Sequence, residues 1–186
     1  VKEAVQNAID GIRANADLSS GRIRVSYSSQ DNRLLVDDNG AGMRPETATG
    51  ELLDIGGTDK PAGSTGGFGL AKAVLFSHAH RLRIVTRARV GTRPPTVLQT
   101  VITGSGRDWL EGGLRWETDD DTSGPTGTRL EIAFDDEVPA DAWGVRNYLG
   151  GLLDKHALPI SFDFTVDGRP VEPAAGRRPV QHRATI

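Results

Sequence analysis

Hydrophobic and polar positions at the start of the chain repeat with the period of an α-helix. The polar residues Glu3, Asn7 and Asp10 are spaced i, i+4 and i+7, which places them on one arc at about 100° per residue. The apolar positions point the other way: Val1, Val5, Ala8, Ile9 and Ile12. We therefore predict an amphipathic helix over residues 1–16. Such a polar face is usually just solvated, but a mid-helix asparagine indicates that its side chain is needed elsewhere.

Positions further along the chain alternate with a period of two, as in β-strands. Residues 22–29 and 33–38 predict a hairpin, and more strands are predicted at 81–90, 96–103, 113–118 and 127–134. A second hairpin is predicted at 161–173, with Asp167 and Gly168 at its turn. Helices are predicted at 68–80 and 138–156, and a short one within 44–57. The arginines that alternate along 81–93 predict a solvent-exposed strand face.

This order of elements predicts an α+β fold, a two-layer sandwich with helices on one face of a mixed, mostly antiparallel sheet. We expect a first domain over 1–136, and an extension over 137–186 that contains a helix and a β-hairpin or begins another domain. Because the chain starts inside a helical pattern without a methionine, we expect it to be a piece of a longer protein that lacks its upstream start.

Composition narrows the classes of function. The chain has 186 residues, 37% hydrophobic and 25% charged, which is typical of a globular protein. It has no apolar run long enough to cross a membrane, so we expect no membrane partner. The absence of cysteine fits a reducing compartment, and we expect a cytoplasmic protein. The formal net charge of −3 argues against non-specific nucleic-acid binding by the whole domain.

A first candidate site follows the second predicted strand, in DDNGAGM at 37–43. Gly40 and Gly42 allow the backbone to turn and to approach a flat ligand closely. Asp38 presents a carboxylate, which only accepts hydrogen bonds and therefore suits an exocyclic amine such as that of adenine. The alternative is an ordinary Asn-Gly turn in which Gly42 is incidental.

A second candidate site is the glycine-rich stretch STGGFGLAKA at 64–73, which opens a predicted helix. The free backbone N–H groups and the dipole at a helix N-terminus favour an anion. Thr58, Lys60 and Lys72 add donors that suit phosphate oxygens. The alternative is a tight turn with solvent-exposed lysines.

The polar face of the first helix complements a phosphate site. Mg²⁺ prefers oxygen ligands and keeps several waters, so the Asn7 amide oxygen is enough protein ligand when phosphates supply the rest. Glu3, one turn earlier, is placed to orient or deprotonate a water that attacks the terminal phosphate. Asp10 would then be a supporting polar group, beside the metal or near the adenine.

The ordered set of motifs resembles the GHKL ATPase superfamily, which includes gyrase B, heat-shock chaperones, MutL and histidine kinases. The resemblance rests on the helix motif around Glu3 and Asn7, on the strand-end motif around Asp38, on the glycine-rich turn and on Gly127-Thr128. It implies that the following residues hold ATP and Mg²⁺: Asn7, Asp10, Asp38, Gly40, Gly42, Met43, Thr58, Lys60, Gly66, Gly67, Phe68, Gly69, Leu70, Ala71, Lys72 and Thr128. It also implies that Asn7 is the metal ligand, that Thr128 lines the adenine pocket and that residues around 51–66 form a lid.

The resemblance implies an ATPase with Glu3 as the catalytic residue, acting inside a larger ATP-gated machine that forms an ATP-dependent homodimer. Other protein domains or DNA are further possible partners. Two alternatives stay open from the sequence. One is the catalytic domain of a histidine kinase, and the other is a nucleotide-gated interaction module that does not hydrolyse ATP.

Overall fold

The fold is built on one eight-stranded sheet. A computed structural model describes residues 1–15, 19–51, 75–91, 95–120, 124–138, 141–153 and 160–173. The strand order in the sheet is β5-β4-β3-β6-β2-β1-β7-β8. The strands are β1 (Gly21–Ser28), β2 (Arg33–Asp38), β3 (Ala79–Val90), β4 (Thr96–Gly104), β5 (Arg115–Asp120), β6 (Gly127–Phe134), β7 (Ile160–Val166) and β8 (Arg169–Pro170). Among these strands the β1–β7 pairing is parallel and the others are antiparallel, so the predicted mixed α+β sheet is confirmed.

Helices pack on one face of this sheet. They are α1 (Lys2–Arg13), α2 (Gly106–Glu111) and α3 (Ala142–Leu153), with a π-helical turn at Thr47–Glu51. None of the helices in the described ranges is long and apolar enough to cross a membrane.

The predicted apolar face of α1 forms the centre of the main core. Val5 and Ile9 are 0% and 1% exposed, and they pack with inward side chains of β1, β2 and β7. Burying a side chain of this size contributes about 1.5–3 kcal/mol. Leu149 of α3 is fully buried in the same cluster. A second cluster, around Phe76 and Trp109, fills the space between β3, β4 and α2.

The structure departs from the predicted elements at the start of β3 and at α2. The helix predicted over 68–80 is helical at the described residues 75–77 but ends before 80, because β3 begins at Ala79, which pairs with Phe134 of β6. The Asp135 N–H also donates to the His78 carbonyl at 3.0 Å, so sheet pairing overrides the local helical pattern there. Helix α2 was not predicted, although Ser105 and Asp108 form a capping box that marks its start.

Strands β7 and β8, which lie beyond residue 136, belong to the same sheet. Strand β7 pairs with β1 over seven residue pairs from Gly21–Ile160 to Tyr27–Val166. Tyr148 of α3 reaches the start of α1, where its hydroxyl donates to the Lys2 carbonyl at 3.5 Å.

Candidate functional site

Helix α1 carries the first group of predicted site residues. Glu3, Asn7 and Asp10 are each partly buried, while the opposite face of the helix is fully buried. Asp10 accepts hydrogen bonds from Gln6 at 3.1 Å and from Arg13 at 3.5 Å, so part of its carboxylate is engaged along the helix itself. Glu3 and Asn7 lie on the same stripe, one turn apart.

Asp38 ends β2 on the side of the sheet that faces α1. Leu34 and Val36 precede it at intervals of two and are buried in the core beneath α1, so the period of the strand turns Asp38 the same way. Its carboxylate accepts the Gly40 N–H at 2.8 Å and the backbone N–H of Thr128. Burial raises the pKa of this carboxyl to about 7, although the two N–H donors oppose the shift.

The glycine turn after Asp38 touches the backbone of α1. A Cβ on Gly40 would lie 2.7 Å from the Gly11 carbonyl oxygen, and the Ala41 N–H donates to that oxygen at 2.8 Å. Asn15 holds the turn from the other side, since its amide donates to the Gly40 carbonyl at 3.2 Å. Glycine is needed at position 40 because the helix and the turn approach too closely for a side chain.

Gly42 and Gly127 lie close to this turn and have backbone conformations that favour glycine. Their φ values are +69° and +146°. A Cβ on Gly127 would overlap the Asp38 carbonyl oxygen, and one on Gly42 would overlap the Arg87 carbonyl oxygen. The predicted Asp38, Gly40 and Gly42 therefore sit in one tightly packed unit with the Gly-Thr turn.

Thr128 is brought next to Asp38 by strand pairing. It is the direct partner of Asp38 across β2 and β6, and its hydroxyl lies 3.2 Å from that of Thr86 in β3. Thr86 also accepts the Met43 N–H at 2.7 Å, which ties the turn to the sheet. Met43 itself is half-buried and packs against the second core cluster.

One row of residues along α1, here called the α1 stripe, ends beside Asp38. Glu3, Asn7 and Gly11 are spaced four residues apart, so they follow one another along one side of the helix. Gly11 is the end of this stripe that meets the site, because a Cβ there would lie 3.8 Å from Asp38 Oδ1. At a rise of about 1.5 Å per residue, Asn7 and Glu3 lie roughly 6 and 12 Å further along the helix axis.

The side chains of Asn7 and Glu3 on this stripe carry oxygen atoms, the ligands that Mg²⁺ prefers. Asn7 offers an amide oxygen on a partly buried helix face, with a carboxylate one turn away. Within the described ranges no three His, Cys, Asp or Glu side chains cluster in a way that could hold a metal. A metal at Asn7 would therefore take most of its ligands from a bound phosphate chain and water.

The other predicted phosphate residues lie outside the described residues. They are Thr58, Lys60, Gly66, Gly67, Phe68, Gly69, Leu70, Ala71 and Lys72, together with most of the expected lid.

Three contributors to the site were not singled out from the sequence: Gly11, Asn15 and Thr86. Gly11 and Asn15 matter through contacts with a turn about 25 residues away, which no local pattern reveals. For Thr86 a signal was available, because it is a polar residue at an inward position of a strand whose other inward residues are Leu82 and Ile84.

The opposite face of the sheet is charged, and the predicted exposed arginine face of β3 is confirmed there. Glu131 of β6 lies within 4 Å of three guanidinium groups, those of Arg33, Arg83 and Arg129. Arg83 and Arg129, together with Arg22 and Arg87, border a concavity of about 330 Å³. It lies behind the sheet, away from α1.

A family comparison agrees with this geometry. The family model for histidine kinase-, DNA gyrase B- and HSP90-like ATPases matches residues 1–136 of the chain. The matched range runs from α1 to just beyond β6, and it therefore contains Glu3, Asn7, Asp38 and Thr128.

The individual relatives have low sequence identity to this chain. Chaperone protein HtpG of Enterobacter sp. (strain 638) is 27% identical over 188 aligned positions, which cover 88% of this chain and 29% of the relative. Chaperone protein HtpG of Salmonella typhi is 27% identical over 198 positions, with the same coverage of both chains. The chain thus spans less than a third of the length of these relatives.

Proposed function

This chain belongs to the family of histidine kinase-, DNA gyrase B- and HSP90-like ATPases, and we propose that it binds ATP with Mg²⁺ and hydrolyses it to ADP and phosphate. The observation that carries the proposal is the line formed by Asp38 and the α1 stripe. A buried carboxylate lies at one end of this line, and an amide and a second carboxylate follow it, one helical turn apart. Binding and hydrolysis of ATP require these groups in this order: a carboxylate for the adenine, an amide for the metal on the phosphate chain and a second carboxylate for the attacking water.

Asp38 and Thr128 supply the adenine end of the proposed site. The ionised Asp38 carboxylate accepts from the exocyclic amine, and Thr128 stands beside it in the neighbouring strand. Gly40 and Gly42 leave the turn without side chains, so a flat ring can lie close to the backbone. The half-buried Met43 adds apolar surface to the edge of the same turn.

Asn7 and Glu3 supply the phosphate end. Asn7 would hold Mg²⁺, which, when bound, neutralises charge on the phosphate oxygens. Glu3 acts as the general base that orients the attacking water and takes its proton. Asp10 supports Asn7 from the next turn of the helix.

Residues 58–72 complete the proposed phosphate site. Gly66, Gly67 and Gly69 offer backbone N–H groups to the phosphates, with Thr58, Lys60 and Lys72 as further donors. Phe68, Leu70 and Ala71, in the same stretch of sequence, belong to the proposed set of nucleotide-binding residues. Support for this part comes from the sequence pattern and from the family match over 1–136.

We assign the chain to a larger, cytoplasmic ATP-gated machine that forms a homodimer when ATP is bound. Support comes from the two relatives named as HtpG chaperones, whose alignments cover 88% of this chain. Acting as a chaperone is therefore the role that we propose for the whole protein.

The test separates hydrolysis from binding. We expect Glu3→Ala to lower phosphate release by at least about a hundredfold, because a positioned general base contributes roughly 10²–10⁴ to the rate. Its affinity for ATP should stay within about twofold of the wild type. Glu117→Ala is the matched control, since Glu117 is an exposed glutamate on β5 at the far edge of the sheet.

Release of phosphate at the wild-type rate by Glu3→Ala would contradict the role of Glu3. Transfer of label from γ-³²P-ATP to the protein, with none released as phosphate, would instead favour a kinase. Binding of ATP by the wild type without either product would favour a nucleotide-gated module.

A further inference from the structure

Thr86 is a buried polar residue next to the proposed adenine site. It is 0% exposed in the middle of β3. The register places Thr86 opposite Thr128 of β6, and Thr128 opposite Asp38 of β2. The three side chains therefore form one row across three neighbouring strands, on the face that carries α1.

The hydrogen bonds of Thr86 constrain the proton of Thr128. A hydroxyl has one proton to donate and can accept two hydrogen bonds. Thr86 accepts the Met43 N–H at 2.7 Å. Its own proton can go to the Thr128 hydroxyl at 3.2 Å or to the Gly127 carbonyl at 3.4 Å. Either hydroxyl can be the donor in the Thr86–Thr128 pair. When Thr86 donates to Thr128, Thr128 has its own proton available for a ligand.

The edge of adenine matches this arrangement. Its exocyclic N6 amine donates a hydrogen bond, and the adjacent ring nitrogen N1 accepts one. A carboxylate that accepts next to a hydroxyl that donates is complementary to that edge. Guanine presents the reverse order, with an accepting O6 next to a donating N1–H.

We propose, on the basis of the ATP site described above, that Thr86 is a positioning residue for purine recognition. Its hydroxyl holds the Thr128 hydroxyl in the donor orientation, so that Asp38 and Thr128 together present an acceptor and a donor to N6 and N1 of adenine. Thr86 acts through Thr128 and does not itself touch the nucleotide.

The test compares ATP with 1-deaza-ATP, in which a C–H group replaces N1, by equilibrium titration of the same chain. The wild type should prefer ATP by about three- to tenfold, the usual contribution of one hydrogen bond. Thr86→Val keeps the shape of the side chain but removes its hydroxyl, so the preference should fall towards one. Thr86→Ser keeps the hydroxyl and should restore the wild-type preference.

Thr100→Val is the matched control. Thr100 is also 0% exposed, lies opposite Thr86 in β4, and pairs its hydroxyl with Thr118 of β5 at 3.1 Å. Losing that hydroxyl removes a buried hydrogen bond of the same kind without touching Thr128. The preference for ATP over 1-deaza-ATP should therefore stay at the wild-type value.

A purely structural role for Thr86 would weaken both nucleotides equally and leave their affinity ratio unchanged in Thr86→Val, which would overturn the proposal. A wild type without preference between the two nucleotides would overturn it too, while the ATP site itself would stand. If Thr86→Val does not fold, as judged by thermal melting, the same comparison of ATP with 1-deaza-ATP is made with Thr86→Ala. A folded wild type that binds neither nucleotide would instead contradict the proposed function.

Discussion

At the residue scale, Asp38 shows the conflict between stability and binding most clearly. Its carboxylate is held at the end of β2 by the Gly40 and Thr128 N–H groups, yet burial raises its pKa to about 7. A carboxyl that is harder to ionise in the folded chain than in the unfolded chain destabilises the fold wherever it is charged. Stability therefore does not explain a carboxylate at this position, whereas the proposed role in recognising adenine does.

Asp38→Asn should therefore stabilise the ligand-free chain at neutral and higher pH. Because the folded pKa of Asp38 is raised, wild-type stability falls as the pH rises from about 4 to about 7 and is then level. The amide carries no charge to bury, so the variant should gain roughly 2–4 kcal/mol at pH 8 and little near pH 4. Urea unfolding of both proteins between pH 4 and pH 8 measures this difference, and an equal difference at both ends would contradict it.

The sequence singled out Asp38, Gly40 and Gly42 because each belongs to a short local pattern, whereas Thr128 was expected only from the family resemblance. A carboxylate at a strand end and glycines at a turn are visible without knowing the fold. Thr86 carries a local signal as a polar residue among inward apolar ones, but its position beside Thr128 is seen only when the register is known, since β3 and β6 are separated along the chain and meet through sheet pairing.

At the element scale, the site depends on the contact between α1 and the turn after β2. Gly40 is fully buried against the Gly11 backbone, and the Ala41 N–H bonds to the Gly11 carbonyl. The contact joins the element that carries Asn7 to the one that carries Asp38. Any displacement there would separate the two ends of the proposed nucleotide site.

We expect Gly40→Ala to destabilise the chain by about 2–4 kcal/mol, because its Cβ would have to displace the α1 backbone. Gly50→Ala is the control, since a Cβ at this exposed position meets no atom of the described residues within 4 Å. That change should stay within about 1 kcal/mol of the wild type. Equal melting temperatures for the two variants would show that the helix and the turn are not in close contact.

The elements with clear periodicity were predicted well, and those set by distant contacts were not. Strands β2 and β6 match the predicted ranges 33–38 and 127–134. The start of β3 at Ala79 and the parallel pairing of β1 with β7 depend on partners far along the chain. Helix α2 has only six residues, too few to show a helical period.

At the scale of the whole molecule, the chain belongs to the family of histidine kinase-, DNA gyrase B- and HSP90-like ATPases and corresponds to only part of its HtpG relatives. It spans 29% of the HtpG relatives it matches. The eight-stranded sheet carries the proposed nucleotide site on the α1 face and a charged, arginine-rich surface on the other face.

Under the proposed function, in which the chain is part of a larger ATP-gated machine, the isolated chain should hydrolyse ATP at least about tenfold more slowly than the full-length protein, because closure and the groups of other domains would be absent. Its affinity for ATP should change less, since Asp38, Thr128 and the α1 stripe all lie within residues 1–136. Phosphate release and ATP titration on both proteins measure the two effects. Equal rates per site would contradict the need for further domains.

The most direct test of the adenine site is calorimetric titration of ATP into the wild type and Asp38→Asn at pH 8. At that pH the wild-type carboxylate is ionised, so we expect the wild type to bind one ATP per chain. Asp38→Asn should bind at least about tenfold more weakly, because a charge-assisted hydrogen bond is lost. Equal affinity of the two folded proteins, or no binding by the wild type, would contradict the assignment of Asp38 to the purine.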